Sequence, residues 1–471
     1  MQNGRTHYYS RRFCAPGLTP LTTALTTKHR TQPVKITKAE YARRRRHLMG
    51  MMDANSIALI PAAREVTRSH DTEYPFRQDS DFMYLTGFDE PDAVLVLVPG
   101  RRQGQIILFC RDRNPELELW NGYRAGPEGA VAKFGMDDAF PIDDIDDILP
   151  GLMEGKGHVY YSMGNNDVFD RQVMAWVNNI RAKVRTGAKP PGDFTDLAFL
   201  LHEQRLIKSA AELKIMRKAG QISADAHCRA MRECRPGRYE YHLESAILHE
   251  FTENGARYPA YNSIVGAGAN ACVLHYTENR DKLVDGDLVL IDAGCEYAGY
   301  AADITRTFPV NGRFSPEQKA LYDIVLKAQL AAIAKVKPGN AWNQPHDATV
   351  RVITRGLLEL GLLSGDEKTL IKEGAYRDFY MHRAGHWLGM DVHDVGDYRV
   401  DGKWRQLEPG MVLTIEPGIY VAPDNTNVPA KWRGIGVRIE DDVAVTPDGC
   451  EVLTDGVPKT TDAIEALMAS A

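Results

Sequence analysis

The 471-residue sequence lacks most of the features that place a chain in a specialised class. Cysteine is sparse: Cys14, Cys110, Cys228, Cys234, Cys272, Cys295 and Cys450 are odd in number and scattered, and no CxxC pair occurs. That excludes a disulfide framework or a zinc ribbon and suits reduced, buried thiols in a reducing compartment. Apolar runs such as Leu288–Ile291 are strand-sized, far short of the ~20 residues a membrane helix needs, so a soluble chain is expected. Neither charge sign dominates. A net charge of −6 and a pI near 6.2 give no global reason to expect a nucleic-acid partner.

Several catalytic signatures are missing too. There is no GxSxG elbow and no P-loop, and neither His202-Glu203 nor His249-Glu250 has the second histidine of HExxH. Gly266-Ala-Gly268-Ala-Asn-Ala271 fits a dinucleotide pattern, but that pattern must open a helix, and Cys272–Tyr276 reads as a strand. Acidic residues are absent before Glu40, while Arg5, Arg11, Arg12, Lys28, Arg30, Lys35 and Lys38 are present. Residues 1–37 therefore read as a disordered leader, with a transit peptide as the alternative. Arg43–Arg46 reads as the solvated face of a helix.

What remains is an ordinary globular pattern of 44% hydrophobic and 25% charged residues, long enough for two or three domains. Ala93–Val98 and Gln105–Cys110 read as strands split by a Pro-Gly turn, and strands and helices keep alternating to about residue 200. A boundary falls near Arg205–Ser209. Ser209-Ala-Ala-Glu212 is a capping box opening a helix that runs to Arg235-Pro236-Gly237. A second helix spans Glu240 to about Asn254, and a third opens at Ser315-Pro316 and stops at Lys337-Pro338. Strands are expected over Val273–Tyr276, Leu288–Ala293, Ala301–Pro309, Met411–Ile415 and Val437–Val445. Segregated blocks predict an α+β half with an antiparallel sheet.

Five residues of that half carry the chemistry. Asp292 ends the apolar strand Leu288–Ile291, where an Asp-Ala-Gly turn would be the ordinary reading. Asp303 follows a hairpin loop at Cys295–Gly299, and antiparallel pairing can bring both aspartates onto one face. Facing carboxylates repel unless a cation lies between them. In Gly434-Ile-Gly-Val-Arg-Ile-Glu440, period-2 alternation sets Gly436, Arg438 and Glu440 apart from the apolar face. Glu416 ends the strand Met411–Ile415 before Pro417-Gly418. His386, in Met381-His-Arg-Ala-Gly-His-Trp-Leu-Gly389, would alone read as a core or surface histidine. Together the five offer four negative charges and one imidazole to two divalent ions. That oxygen-rich set suits Mn²⁺ or a similar hard ion.

The chain resembles the pita-bread metallopeptidases, the family of methionine aminopeptidase, prolidase and Xaa-Pro aminopeptidase. It is most similar to the bacterial-type Xaa-Pro aminopeptidases, also called aminopeptidase P. The resemblance spans about residues 38–460. It is carried in order by His70–Arg77, Tyr261–Val265, Leu274–Glu278, Asp292–Tyr297, Asp303–Thr307, His386–Gly389, Val392–Gly396, Glu416–Tyr420 and Arg438–Glu440. It implies a leader over 1–37, an N-terminal α/β creatinase/prolidase-like domain over 38–205, and a catalytic pita-bread domain over 206–471.

The resemblance further implies that Asp292 chelates one metal, that Asp303 and Glu440 bridge both, and that His386 and Glu416 hold the second. Their shared hydroxide attacks the scissile carbonyl, and Glu416 accepts its proton. His275 and His393 stabilise the oxyanion and handle protons at the leaving nitrogen. Tyr261, His382 and Arg438 stand near a proline pocket. The loop Asp397–Gln406 departs from the family, and its fine contacts are not carried over.

The implied reaction releases the N-terminal residue from peptides with proline second, in a cytoplasmic homodimer or homotetramer, or in mitochondria if the leader is a transit peptide. Trp120 would either reach a neighbouring subunit's site or pack in its own core. The alternatives are a prolidase, restricted to Xaa-Pro dipeptides, and a non-catalytic binding module. The binding module and a metal-free creatinase-type hydrolase both conflict with the intact ligand set.

Overall fold

The computed structural model describes residues 34–470; the leader expected over 1–37 lies outside the described residues up to Pro33. The chain enters at the helix Lys38–Met51, whose Thr37 side chain accepts from the Glu40 amide as an N-cap.

A six-stranded mixed sheet follows, ordered Asp138–Pro141, Ile106–Cys110, Val94–Leu97, Ser56–Pro61, His158–Tyr160 and Asp193–Thr195. Its central strands are apolar at successive positions because both faces are covered. Ile57, Leu59, Val96 and Phe109 pack with Trp176 and Val177 on one side. Ala58, Ile60, Leu95 and Leu108 pack with Leu48, Phe82 and Phe88 on the other.

Arg44 and Arg45 correct the reading of a solvated basic face: both are 1% exposed. Arg44 donates to Tyr84 O (3.0 Å), stacks 4.0 Å over the Tyr84 ring and pairs with Glu212 (3.4 Å). Arg45 donates to Leu85 O (2.7 Å) and Gly135 O (3.1 Å). A guanidinium survives burial when its fork meets this many acceptors.

The second half is built on antiparallel ladders with helices outside. The expected capping box forms: Ser209 and Glu212 exchange bonds with each other's backbone and open the helix Ala210–Glu233. Such a cap stabilises a helix by about 1 kcal/mol. The helices Glu240–Glu253, Pro316–Ile333 and Asn343–Glu359 follow. The third expected helix stops at Ile333, four residues before Lys337.

One ladder joins Ile264–Ala267, Leu288–Asp292 and Thr305–Pro309; another joins Val412–Ile415, Asp441–Thr446 and Gly449–Val452. The strands Gly418–Tyr420 and Gly436–Arg438 pair with each other, and Arg438 bonds to Thr307 of the first ladder. Glu440 N donates to Thr305 O (3.0 Å) and Arg438 N to Thr307 Oγ1 (3.1 Å), so the two ladders meet where the acidic residues lie.

Three expected strands differ. Ala301–Pro309 is interrupted over residues 302–304, leaving Tyr300–Ala301 and Thr305–Pro309. Val437–Val445 is broken after Arg438, which lets Glu440 turn toward the other ladder. Val273–Tyr276 is not a strand: a 3-10 turn, Gly268–Cys272, leads into loop. The reason is the buried carboxylate of Glu240. It accepts from Ala267 N (2.8 Å), Asn270 Nδ2 (3.1 Å), Tyr276 Oη (2.9 Å) and Asp281 N (2.8 Å), which curls the segment around it.

Candidate metal centre

The apolar strand Leu288–Asp292 runs antiparallel to Thr305–Pro309, with Asp292 opposite Thr305. Asp303 stands just before the second strand. The intervening Cys295–Tyr297 and Tyr300–Ala301 pair with each other as a hairpin. Gly294 allows the close approach: a Cβ there would lie 1.7 Å from Ala302 O. The outcome is that Asp292 and Asp303 both face Tyr261. Its hydroxyl lies 2.6 Å from Asp292 Oδ1 and makes a still shorter contact with Asp303 Oδ1.

The other residues arrive around the second ladder: Arg438 ends the strand Gly436–Arg438, Glu416 and Glu440 lie between strands, and His386 lies in a loop bonded to Thr414. Arg438 donates through Nη2 to Asp292 Oδ2 (2.7 Å), through Nε to Thr305 Oγ1 (3.1 Å) and through Nη1 to Tyr420 Oη (3.0 Å). Thr305 Oγ1 in turn donates to Glu440 Oε2 (2.6 Å). His386 Nδ1 donates to Trp387 O (2.9 Å), turning Nε2 toward Asp303 (3.5 Å) and Glu416 (3.9 Å). Ligand atoms of Asp303, His386 and Glu440 all lie within 4.8 Å of one another. The five expected ligands, with Tyr261, His275, His382, His393 and Arg438, line one cavity of about 370 Å³ whose apolar wall includes Ile264, Leu274 and Val392.

The charges do not balance. Four carboxylates converge, Asp303 and Glu440 buried among them, and one buried guanidinium opposes them. Burial and the neighbouring Asp292 raise the pKa of Asp303. Burial and the surrounding carboxylates push Glu440 well up, and burial pushes Glu416 to about 7. Burial opposes charging His386, yet its contacts with Asp303 and Glu416 hold it at about 9. These are the shifts of a site short of positive charge.

The donor set fits a metal. Tyr261 has one proton for two carboxylates, so it can satisfy only one of them. Nε2 of His386 is the free lone pair that a metal takes, with Nδ1 fixed by a carbonyl. A cation beside these groups favours the charged carboxylates and the neutral ring.

A hydrogen-bond relay runs along one wall. Arg438 donates to Tyr420 Oη, Tyr420 to His382 Nε2 (2.9 Å), and His382 Nδ1 to Arg383 O (2.7 Å). Burial and the nearby Arg438 lower the pKa of His382 to about 4, so it is neutral at pH 7. The His393 and His386 rings meet edge to face at 4.3 Å. Thr305 and Tyr420 are additions to the expected set. Both fall inside segments already singled out, Thr305 in Asp303–Thr307 and Tyr420 in Glu416–Tyr420, but neither residue type marks itself as part of a site.

A family model for metallopeptidase family M24 matches residues 214–447, and one for the aminopeptidase P N-terminal domain matches residues 41–160. The Xaa-Pro aminopeptidase of Escherichia coli (strain K12) is 50% identical over 438 residues, 93% of this chain and 99% of that one. The chain belongs to the aminopeptidase P branch of metallopeptidase family M24. The structure of Pseudomonas aeruginosa aminopeptidase PepP shares the fold of this M24 chain at a TM-score of 0.92 and 64% identity, covering 93% of this chain and 99% of that chain. A zinc-substituted Escherichia coli aminopeptidase P in complex with product matches at a TM-score of 0.90 and 49% identity, again over 93% and 99%. The expected fold class, an M24 domain behind an α/β N-terminal domain, is the one these neighbours have.

Trp120 is 82% exposed, beside Leu119 at 82% and Tyr123 at 92%, which overturns the core-packing alternative for it. Cys110, Cys234 and Cys295 are buried free thiols. No helix among the described residues is long and apolar enough to cross a membrane.

Proposed function

We propose that this M24 chain is a metal-dependent Xaa-Pro aminopeptidase, releasing the first residue of peptides whose second residue is proline. One observation carries the proposal: Asp292, Asp303, Glu416 and Glu440 converge with His386 on a cavity where one buried guanidinium, Arg438, pairs with them. The 50% identity with a curated Xaa-Pro aminopeptidase over nearly the full chain supports the substrate class.

Asp292, Asp303, His386, Glu416 and Glu440 would hold two divalent ions, with Asp303 and Glu440 shared. Mn²⁺ is the best match to so many oxygen donors. When bound, such ions acidify water and polarise a carbonyl, which supplies attack without needing the amide N–H that an X–Pro bond lacks. Glu416 takes up a proton from the attacking water. His275 and His393 face the carbonyl oxygen and the leaving nitrogen, donating to the charge that develops there. Tyr261 holds the two aspartates in register, and Arg438 fixes Asp292 and Glu440, the latter through Thr305.

The division into 38–205 and 206–471 remains part of the proposal, as does self-association into a dimer or tetramer through the exposed patch at Leu119, Trp120 and Tyr123. Free thiols suit a reducing compartment, and we place the chain in the cytoplasm.

The test is product release from a Xaa-Pro-Yaa tripeptide and a Xaa-Pro dipeptide, with Mn²⁺ and with chelator. Turnover of the tripeptide should require metal. Asp303→Asn should lower it at least about a hundredfold and reduce bound metal. Chelator-resistant cleavage refutes the metal centre, and faster dipeptide cleavage makes the chain a prolidase.

A further inference from the structure

His393 sits in a turn that is tied down on both sides. Asp394 N donates to Trp387 O (2.9 Å) and Gly389 N to Asp391 O (3.1 Å), closing the chain back onto the His386 segment. The turn is tight: a Cβ on Gly389 would stand 2.0 Å from Asp394 Oδ2. Its two aspartates face away from the cavity into a charged cluster. Asp394 is buried and accepts from Arg205 Nη2 (2.7 Å) and Lys208 Nζ (2.8 Å), which are buried with it. Asp391 accepts from the same Arg205 Nη2 (2.8 Å) and from Ser80 Oγ (2.6 Å). The other end of the Arg205 fork, Nη1, donates to Asp81 Oδ1 (2.7 Å). Ser80 and Asp81 belong to the helix Ser80–Thr86, which packs against the N-terminal sheet. Arg205 thus joins three carboxylates, two flanking His393 and one on the N-terminal side.

We propose that Asp391 and Asp394 are positioning residues for His393, held by Arg205, Lys208 and Ser80, so that the N-terminal half sets the placement of an imidazole on the reaction site. This rests on the peptidase reading above. The physical basis is leverage over a short span. Asp391 and Asp394 lie two residues before and one after His393, and charge-assisted hydrogen bonds that share one largely buried guanidinium fix geometry by direction as well as by packing. A displacement of about 1 Å in such a group costs catalysis rather than binding.

Steady-state kinetics on a Xaa-Pro-Yaa tripeptide with the Mn²⁺-loaded full chain, together with metal content, tests this. Asp391 is partly exposed, so Asp391→Ala should fold. It should lower kcat about tenfold, with KM within about twofold and bound metal unchanged. Ser80→Ala should lower kcat about threefold alone and add nothing in the Asp391→Ala background, because Ser80 acts on the turn through its bond to Asp391. If Asp391→Ala does not fold, Ser80→Ala alone carries the test. An unchanged kcat, a rise in KM alone, loss of metal, or additive effects of the two variants each overturn the proposal. Wild-type turnover in the same assay separates this failure from failure of the peptidase reading; a wild-type chain with no turnover rejects both.

Discussion

At the residue scale, the site works by shared protons and shared charges. Thr305 shows it best: one hydroxyl accepts from Arg438 and donates to Glu440. Thr305→Val keeps the shape and removes both bonds. It should lower kcat/KM by about 10- to 100-fold and weaken metal affinity comparably, measured by metal titration and steady-state kinetics. The ligand candidates were legible because Asp and Glu at the ends of apolar strands are conspicuous in sequence. Thr305 was not, because a threonine in a strand is ordinary until its partners, 133 and 135 residues away, are known. Arg44 was misread for the same reason. Charge runs on helices usually face water, and one of its acceptors, Tyr300, lies 256 residues downstream.

At the element scale, the fold depends on how closely the two aspartate-bearing segments approach. Gly294→Ala puts a methyl into the Ala302 carbonyl, and backbone has no rotamer by which to yield. The variant should lose at least about 3 kcal/mol in urea unfolding, at the upper end of overpacking costs, and should bind metal poorly if it folds. Helices with capping boxes were readable to within a few residues, since the signal is local. The strand expected at Val273–Tyr276 was not, since Glu240, 36 residues before Tyr276, decides its path.

At the scale of the whole molecule, the two halves are joined by buried charge, which makes stability depend on acid. Burial opposes the charged form of Asp394, but Lys208 and Arg205 hold its pKa below the usual carboxylate value. The stabilisation is therefore fully present above the unfolded value of about 4 and is lost as pH falls through the lower folded value. Asp394→Asn should destabilise the chain at pH 7 by about 3–5 kcal/mol, because buried Lys208 loses its carboxylate partner and Arg205 loses one of its three. The gap from wild type should narrow below pH 4. Urea unfolding at pH 7 and pH 3.5 checks both. The helix start beside Arg205–Ser209 was readable from its capping box. That the same short segment also clamps the His393 turn was not, because salt-bridge partners leave no periodic trace.

The relay from Arg438 through Tyr420 and His382 to the Arg383 carbonyl commits every polar atom of His382 and Tyr420 along that wall. A side chain laid against these two residues finds no free N–H or O–H donor on them. An amide or hydroxyl entering there forfeits its water without recompense, whereas a pyrrolidine ring, with nothing to satisfy, forfeits none. Selection for proline can thus arise from saturation of the surface rather than from any attraction to the ring.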